Sequence, residues 1–314
     1  MQKTFRLAHV SDVHLPNVTG FWPRHWNLKR ALGFINWQRK RRFIHRWETI
    51  DLLLEDLQQQ KCDHIAVSGD LANIGLPSEL SAAFEWLQRL GRPEDVSVIP
   101  GNHDIYCRLL SDIGTARWQP YMRAEVGSSS SSTSTDEVDF PYIRRFGSIV
   151  LVGVNSAVPT APGIASGEVG AAQIERLRNI LQQLAVERVC RVVMVHHPPL
   201  PGLASRRRAM RDAAEFERML QDVGADLVIH GHNHRSMLSG CAHEAGTIPV
   251  IGVPSFSTTP GLQYGEPAAY NIYEFNKASG GYAITLIQRG LKPDADGVIE
   301  LRNELISDSM HKQS

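Results

Sequence analysis

The chain has 314 residues, of which 42% are apolar and 7% aromatic, and its 33 Lys and Arg balance its 33 Asp and Glu. This composition excludes a disordered chain and predicts a globular protein with a sizeable core, of a length that one enlarged α/β domain can reach. Zero formal charge argues against a protein that coats nucleic acid through its overall field.

The first 230 residues alternate short apolar runs with longer amphipathic segments. Runs rich in Val and Ile are predicted as strands buried on both faces, at residues 5–10, 64–67, 96–99, 192–195 and 227–229. Segments with apolar residues at helical spacing are predicted as helices, at residues 43–60, 78–90, 168–185 and 209–223. After residue 248, strand-like runs follow one another without helices, which predicts an antiparallel finish.

This rhythm predicts one domain over residues 1–290, with residues 291–314 forming a C-terminal strand or tail. A Ser-rich, low-complexity stretch lies at residues 127–139. Because such a stretch cannot bury apolar surface, we expect a mobile surface loop there.

Two basic segments interrupt the α/β plan. The insertion at residues 16–46 contains Trp22, Trp26, Trp37 and eight Lys or Arg residues, but no acidic residue. Residues 203–211 include three consecutive arginines and follow the fourth predicted strand, so we expect them to overhang whatever site that strand builds. Both segments are placed to meet an anionic ligand.

The four cysteines are far apart in the sequence, which favours free thiols in a reducing compartment. The first dozen residues leave no room for a secretory signal, and no apolar run approaches the roughly 20 residues of a transmembrane helix. We therefore expect a cytoplasmic protein, with peripheral membrane contact left open.

Polar side chains follow each predicted strand at its carboxyl end. They are Asp12 and His14, then Asp70, then Asn102, His103 and Asp104, then His196 and His197, then His232 and His234. In open α/β sheets these strand ends converge on one crevice, so the separate motifs predict a single site. Its carboxylates, amide oxygen and imidazoles suit two divalent cations.

Any one of these residues alone is ordinary, because a lone His is usually structural and Gly-Asp or Gly-Asn is a common turn. No structural need produces all of them in this order, each after an apolar run. The joint pattern therefore predicts a metal site.

The same motifs resemble a known signature. They are Asp12-Val13-His14, Gly69-Asp70, Gly101-Asn102-His103-Asp104, His196 in the HHPP run, and Gly231-His232-Asn233-His234. Together they resemble the calcineurin-like metallophosphoesterase superfamily over residues 7–234, and they look closest to its bacterial single-domain, cyclic-nucleotide phosphodiesterase type. The resemblance implies a four-layer α-β-β-α sandwich of two mixed sheets flanked by helices.

The resemblance also implies the roles of the site residues. One ion is expected on Asp12, His14 and His234, the other on Asn102, His196 and His232, with Asp70 bridging them. The ligand set suits Mn, Fe or Zn, and we favour Mn. Two such ions activate a bridging hydroxide for attack on a phosphoester.

The remaining polar residues have proposed roles beside the ions. His103 is expected to donate a proton to the leaving oxygen or to stabilise its charge, and Asp104 to orient His103. His196 leaves its strand first and is taken as the ligand, which leaves His197 as a residue that supports the ligands or packs beneath them.

Several functions fit this site. The leading hypothesis is a phosphodiesterase that acts on a cyclic nucleotide or a related small diester. A second is hydrolysis of a lipid-linked nucleotide diester or pyrophosphate, with residues 16–46 against an anionic membrane; a basic cap that steers phosphate anions explains the same segment equally well. A nuclease is a further alternative, and a non-catalytic scaffold is a remote one, because all seven ligands and His103 are present.

Overall fold

The computed structural model describes residues 4–108, 113–123, 139–261, 265–278 and 281–307. The strands are β1 (Phe5–Val10), β2 (His64–Val67), β3 (Val96–Val98), β4 (Tyr142–Phe146), β5 (Ile149–Val154), β6 (Cys190–Val195), β7 (Leu227–His230), β8 (Met237–His243), β9 (Gly246–Gly252), β10 (Ala269–Ala278), β11 (Gly281–Leu291) and β12 (Val298–Ser307). The α-helices are α1 (Leu28–Asn36), α2 (Arg42–Ile44), α3 (Trp47–Gln59), α4 (Pro77–Leu90), α5 (Ala171–Val186) and α6 (Ala213–Val223). A π-helical turn, Trp37–Arg41, joins α1 to α2.

The strands form two mixed six-stranded sheets. The first has the order β12-β11-β10-β1-β2-β3, in which β1, β2 and β3 run parallel and the other three antiparallel. The second has the order β4-β5-β6-β7-β9-β8, with a parallel centre and antiparallel edges. The predicted antiparallel finish is present in β10, β11 and β12.

Alternate side chains of the strands face two different cores. In β5, Ile149 and Leu151 join a cluster with residues of the first sheet, whereas Val150, Val152 and Val154 join a second cluster with α5 and α6. Helices α3 and α4 cover the outer face of the first sheet through the first cluster. The predicted four-layer α-β-β-α fold is confirmed.

The interruptions of the sandwich fall at its margins. Residues 16–46 form a partly helical segment between β1 and α3. Of the Ser-rich stretch at 127–139, only Asp139 is among the described residues. Beyond residue 291, β12 pairs antiparallel with β11 and forms an edge of the first sheet. No helix in the described part of the chain is long and apolar enough to cross a membrane.

Candidate metal centre

The predicted ligands lie in loops that leave the carboxyl ends of parallel strands in both sheets. Asp12 follows β1, Asp70 follows β2 and Asn102 follows β3 in the first sheet, while His196 and His232 follow β6 and β7 in the second. The two sheets face each other, so the five loops meet at one end of the sandwich, and all seven predicted ligands are buried there. The predicted convergence therefore exists.

The backbone at these positions is unusual. Of the eight non-glycine residues with positive φ in the described ranges, five are predicted ligands: Asp12, His14, Asp70, His232 and His234. Left-handed backbone is disfavoured for side chains with a Cβ and clusters at functional sites. The loops are thus shaped to aim side chains rather than to connect strands by the shortest path.

Two glycines of the motifs are required by close approach. A Cβ on Gly101 would lie 2.2 Å from Asp70 Oδ1, and one on Gly231 would lie 1.9 Å from Ser11 Oγ and 2.6 Å from Asp12 Oδ2. These separations are far below van der Waals contact, so each glycine lets a carboxylate sit against the neighbouring loop.

Asp12, His14 and His234 form one group of candidate ligand atoms. His234 Nε2 lies 3.2 Å from Asp12 Oδ1 and 3.3 Å from His14 Nε2. His14 Nδ1 donates a hydrogen bond to the carbonyl oxygen of Ala72, which leaves its Nε2 lone pair directed into the group. The tautomer that binds a cation through Nε2 is therefore fixed by the fold.

A second group surrounds His196. Its Nε2 lies 3.2 Å from Asn102 Oδ1 and 3.3 Å from His232 Nδ1, while its Nδ1 donates to the carbonyl oxygen of Ser68. Asp70 lies between the groups, with Oδ2 3.5 Å from His196 Nε2 and 3.9 Å from His14 Nε2. One carboxylate oxygen thus reaches both sets of imidazoles.

The donor set fits a pair of divalent cations. Asp12 Oδ1 is buried and lies 3.2 Å from His234 Nε2, an arrangement that costs free energy unless a proton or a cation lies between these two atoms. The imidazole nitrogens that face each other at 3.3 Å likewise need a proton or a cation between their lone pairs. Cations ligated by these atoms would satisfy both requirements.

The protonation states also suit cation binding. Burial lowers the pKa of His14 and of His232 well below the usual range, so both imidazoles are neutral. Burial alone would raise the pKa of Asp70, but the neighbouring His196 and His103 outweigh it, and the pKa of this carboxyl lies below its usual range. His14, His232 and Asp70 are therefore in the forms that bind metals. Burial would lower the pKa of His196, but Asp70 outweighs it and raises this pKa to about 9, so His196 would release a proton on binding a cation.

The family model of the calcineurin-like phosphoesterases matches residues 5–236 of the chain, about three quarters of its length. The chain belongs to this family. Its curated relatives include a probable cyclic nucleotide phosphodiesterase from Synechococcus, 25% identical over 215 residues, which are 68% of this chain and 70% of the relative. The calcineurin-like family fixes the reaction class: the chain is a metal-dependent phosphoester hydrolase.

Solved structures show the same fold at low sequence identity. A dimetal phosphatase from Danio rerio matches with a TM-score of 0.59 and 14% identity, over 95% of this chain and 98% of that one. A 5'-nucleotidase precursor from Thermus thermophilus matches with a TM-score of 0.55 and 14% identity, over 94% of this chain and 56% of that one. These likenesses establish the architecture of the phosphoesterase.

His103 lies beside the first group of ligands, with its ring centroid 5.0 Å from that of His14. Its Nδ1 donates to the carbonyl oxygen of Asn73. Arg41 contacts both ring nitrogens, with Nη1 3.1 Å from Nδ1 and Nη2 3.1 Å from Nε2. Burial and then the Arg41 charge lower the pKa of His103 to about 3.

The structure corrects the expected partner of His103. The Asp104 carboxylate accepts hydrogen bonds from the backbone N–H groups of Asp70, Ala72 and Gly101, at 2.8 Å each. None of its hydrogen bonds within the described residues reaches the His103 ring. Asp104 therefore braces the loops that hold Asp70 and Asn102, and Arg41 and Asn73 orient His103.

His197 has both ring nitrogens occupied, Nδ1 by Ser156 Oγ at 2.7 Å and Nε2 by the carbonyl oxygen of Ala165 at 3.3 Å. Its ring packs 4.5 Å from that of His232. The side chain is therefore placed to support the ligands, although its nitrogen also falls within a candidate group with His196 and His232.

Two arginines outside the recognised motifs border the cleft over the centre. Arg41 comes from the 16–46 insertion, and Arg208 comes from the 203–211 segment and donates to the carbonyl oxygen of His232 at 2.6 Å. The run of three arginines was a sequence signal for the second. Nothing in the sequence singled out Arg41 from its basic neighbours.

Proposed function

We propose that the chain hydrolyses a small phosphodiester, with cyclic nucleotides as the leading substrate class. The centre is proposed to hold two divalent ions: one on Asp12, His14 and His234, the other on Asn102, His196 and His232, with Asp70 bridging. The observation that supports this assignment is the position of Asp70 Oδ2 between His14 Nε2 and His196 Nε2, 3.9 and 3.5 Å away. The similarity to the probable cyclic nucleotide phosphodiesterase from Synechococcus supports the substrate class.

Two divalent cations would supply an activated water nucleophile and would polarise the phosphoryl oxygens. The mixed carboxylate, amide and imidazole donors suit Mn, Fe or Zn, and we favour Mn. The chain contributes the fixed tautomers of His14 and His196, whose Nδ1 atoms donate to backbone carbonyl oxygens. It also excludes bulk water from the ligands, which are buried at the base of the cleft.

We assign the leaving-group side of the reaction to His103. The Asn73 carbonyl oxygen accepts from Nδ1–H, so Nε2 is the atom that faces the leaving oxygen, and it can donate a proton only as the imidazolium. We propose that the charge of the bound phosphodiester stabilises this protonated form against the opposing charge of Arg41. Arg41 and Arg208 at the cleft wall are proposed to bind phosphoryl oxygens, because guanidinium groups match them in charge and geometry.

The test is a substrate panel with Mn-reconstituted protein: bis-p-nitrophenyl phosphate, 2',3'- and 3',5'-cyclic nucleotides, and p-nitrophenyl phosphate as the monoester. We expect kcat/KM for diesters to exceed that for the monoester by about tenfold or more. Hydrolysis of the monoester alone would refute the diester assignment.

The metal assignment has its own test. Asp70→Asn should lose both ions and all activity, whereas Asp226→Asn is the matched control, because this carboxylate is bound to Arg191 away from the cleft. Elemental analysis should give about two ions per chain for wild type and the control. A wild-type stoichiometry that stays at one, with full activity, would contradict the dinuclear centre.

A second candidate substrate is a lipid-linked nucleotide or another diester held in a membrane. Large apolar side chains of the insertion are exposed, including Trp22 at 61% and Leu28 at 69%, and they favour this candidate over a purely steering cap. We also propose that the protein resides in the cytoplasm, which is supported by the sparse cysteines, four in the chain and far apart in the sequence.

A further inference from the structure

Helix α1 of the insertion buries cations and exposes apolar side chains. Lys29 and Arg30 are 8% and 4% exposed, whereas Leu28 and Leu32 are 69% and 50% exposed. A surface helix of a globular protein normally has the opposite arrangement. The inversion therefore needs an explanation in terms of what each face contacts.

The buried cations fasten α1 to the loops of the metal centre. Lys29 Nζ donates to the carbonyl oxygen of Tyr106 at 2.9 Å and to Thr160 Oγ1 at 2.8 Å. Arg30 donates to the carbonyl oxygens of Ile74 at 3.2 Å and Gly75 at 2.9 Å. These bonds fix which face of the helix points inward and so hold the apolar face outward.

The outward face is a continuous stripe. Leu28, Leu32 and Ile35 recur at i, i+4 and i+7, which places them on one side of a helix, and Ile35 is 44% exposed. Trp26 at 64% exposure adjoins the amino end of α1, and Phe43 at 46% follows its carboxyl end. We call Trp22, Trp26, Leu28, Leu32, Ile35 and Phe43 the docking face.

Cations accompany the docking face without acidic partners. They are Arg24, Arg39, Lys40, Arg42 and Arg46, all exposed. No Asp or Glu occurs between Asp12 and Glu48, and none of the ion pairs within the described residues involves these five side chains. The segment therefore combines uncompensated positive charge with exposed aliphatic and aromatic surface.

This combination is complementary to an anionic bilayer. Tryptophan prefers the headgroup boundary, aliphatic side chains enter the acyl region, and Lys and Arg are attracted to anionic headgroups. A polyanion such as nucleic acid would use the cations but would leave the aliphatic stripe in water. A protein partner would cover the stripe, but it would give no reason for a complete absence of acidic residues.

The docking face also borders the catalytic cleft. Asn36, at the end of α1, and Arg41, in the π-helical turn, both line the cleft above the metal ligands. A membrane bound to this face would therefore meet the protein beside the cleft.

We propose that residues 22–46 form a membrane-docking surface that binds anionic lipid bilayers through the docking face and its flanking cations. The proposal rests on the insertion itself and holds whichever phosphoester the centre hydrolyses.

The experiment is cosedimentation of the full chain with vesicles of phosphatidylcholine containing about 30% phosphatidylglycerol, in about 0.1 M NaCl. Wild type should bind these vesicles and should bind pure phosphatidylcholine weakly. The triple variant L28Q/L32Q/I35Q should bind about 100-fold more weakly, at roughly fivefold per partly inserted side chain. The double variant R39Q/K40Q should bind about 25-fold more weakly, at roughly fivefold per charge.

Each variant has a matched control in exposed positions outside the insertion. V186Q/L301Q/L305Q removes three exposed apolar side chains, and K61Q/R188Q removes two exposed cations. Both controls should bind like wild type, and circular dichroism and metal content should show that every variant is folded.

Four results would overturn the proposal. One is absence of wild-type binding to the anionic vesicles. Another is unchanged binding of L28Q/L32Q/I35Q, which would show that the apolar stripe does not enter the bilayer. The third is weakening by the controls equal to that by the insertion variants. Binding that depends only on the cations and is matched by a single-stranded oligonucleotide would identify a polyanion surface instead. All of these readouts are independent of turnover.

Discussion

Arg41 offers the sharpest test of how the insertion serves catalysis. Its side chain is 8% exposed and places two guanidinium nitrogens 3.1 Å from the two ring nitrogens of His103, at the wall of the cleft. Arg41→Gln removes the charge and the paired contact with both ring nitrogens, whereas Arg41→Lys keeps the charge and loses the paired contact. The pair of variants therefore separates attraction of the phosphoryl anion from positioning of His103.

The expected magnitude follows from the contacts. A hydrogen bond to a charged group contributes about 1.5–3 kcal/mol, which corresponds to a factor of about 10 to 150 in kcat/KM. Arg41→Gln should lose this factor for every phosphodiester. If the paired contact positions His103, Arg41→Lys should lose most of this factor as well, chiefly in kcat, because a single ammonium group cannot contact both ring nitrogens as the guanidinium does.

The assay is steady-state hydrolysis of bis-p-nitrophenyl phosphate by Mn-loaded protein, with Arg24→Gln as a control that removes an exposed cation of the same insertion. Metal content should be equal in all variants. Arg41→Gln with wild-type kcat/KM would refute the reasoning, since neither substrate binding nor orientation of His103 would then depend on this side chain.

Three further predictions test neighbouring parts of the structure. His103→Ala should keep both ions and lower kcat by about 10² to 10⁴ for poor leaving groups, and by less for nitrophenol, as the leaving-group dependence will show. Asp104→Asn should lower stability by roughly 2–4 kcal/mol in urea unfolding, because an amide cannot accept all three backbone N–H groups that the carboxylate accepts. Burial lowers the pKa of His64 from 6.5 to about 3, so the folded chain binds fewer protons than the unfolded chain between these values, and stability is lost as pH falls below 6.5. Between about pH 6.5 and 5, His64→Gln should reduce the decrease in the free energy of unfolding by about 2 kcal/mol, as measured in metal-free urea titrations. An unchanged decrease would contradict the lowered pKa of His64.

The central strands could be predicted from the sequence because parallel strands that are buried on both faces consist of continuous runs rich in Val and Ile. β1 and β2 match their predicted bounds, and the polar residues that follow them are the ones that meet in the structure. The edge strands β4, β8 and β12 were harder to predict, and the sequence pattern did not define their bounds. In β12, three charged residues, Glu300, Arg302 and Glu304, interrupt the apolar pattern, since one side of this edge strand faces water.

The role of Asp104 illustrates a different limit. Adjacency to His103 in the sequence suggested a side-chain pair, but consecutive residues in a tight loop point in different directions, and the three backbone donors around Asp104 come from two separate loops. Arg41 shows the same limit across distance. Its contact with His103 spans 62 residues, and no local pattern distinguishes it from Arg39 or Arg42.

The motifs themselves could be predicted from the sequence because they place Asp and His at turns where these residues cost conformational free energy. Asp12, His14 and Asp70 have positive φ, and a left-handed non-glycine residue is disfavoured by roughly 1–2 kcal/mol. A fold selected for stability alone would place Gly or Asn at such turns. Aspartate and histidine occupy these turns instead, and their side chains converge in buried groups of candidate ligand atoms. The residues that suit the backbone least are therefore the ones that we propose as ligands of the ions.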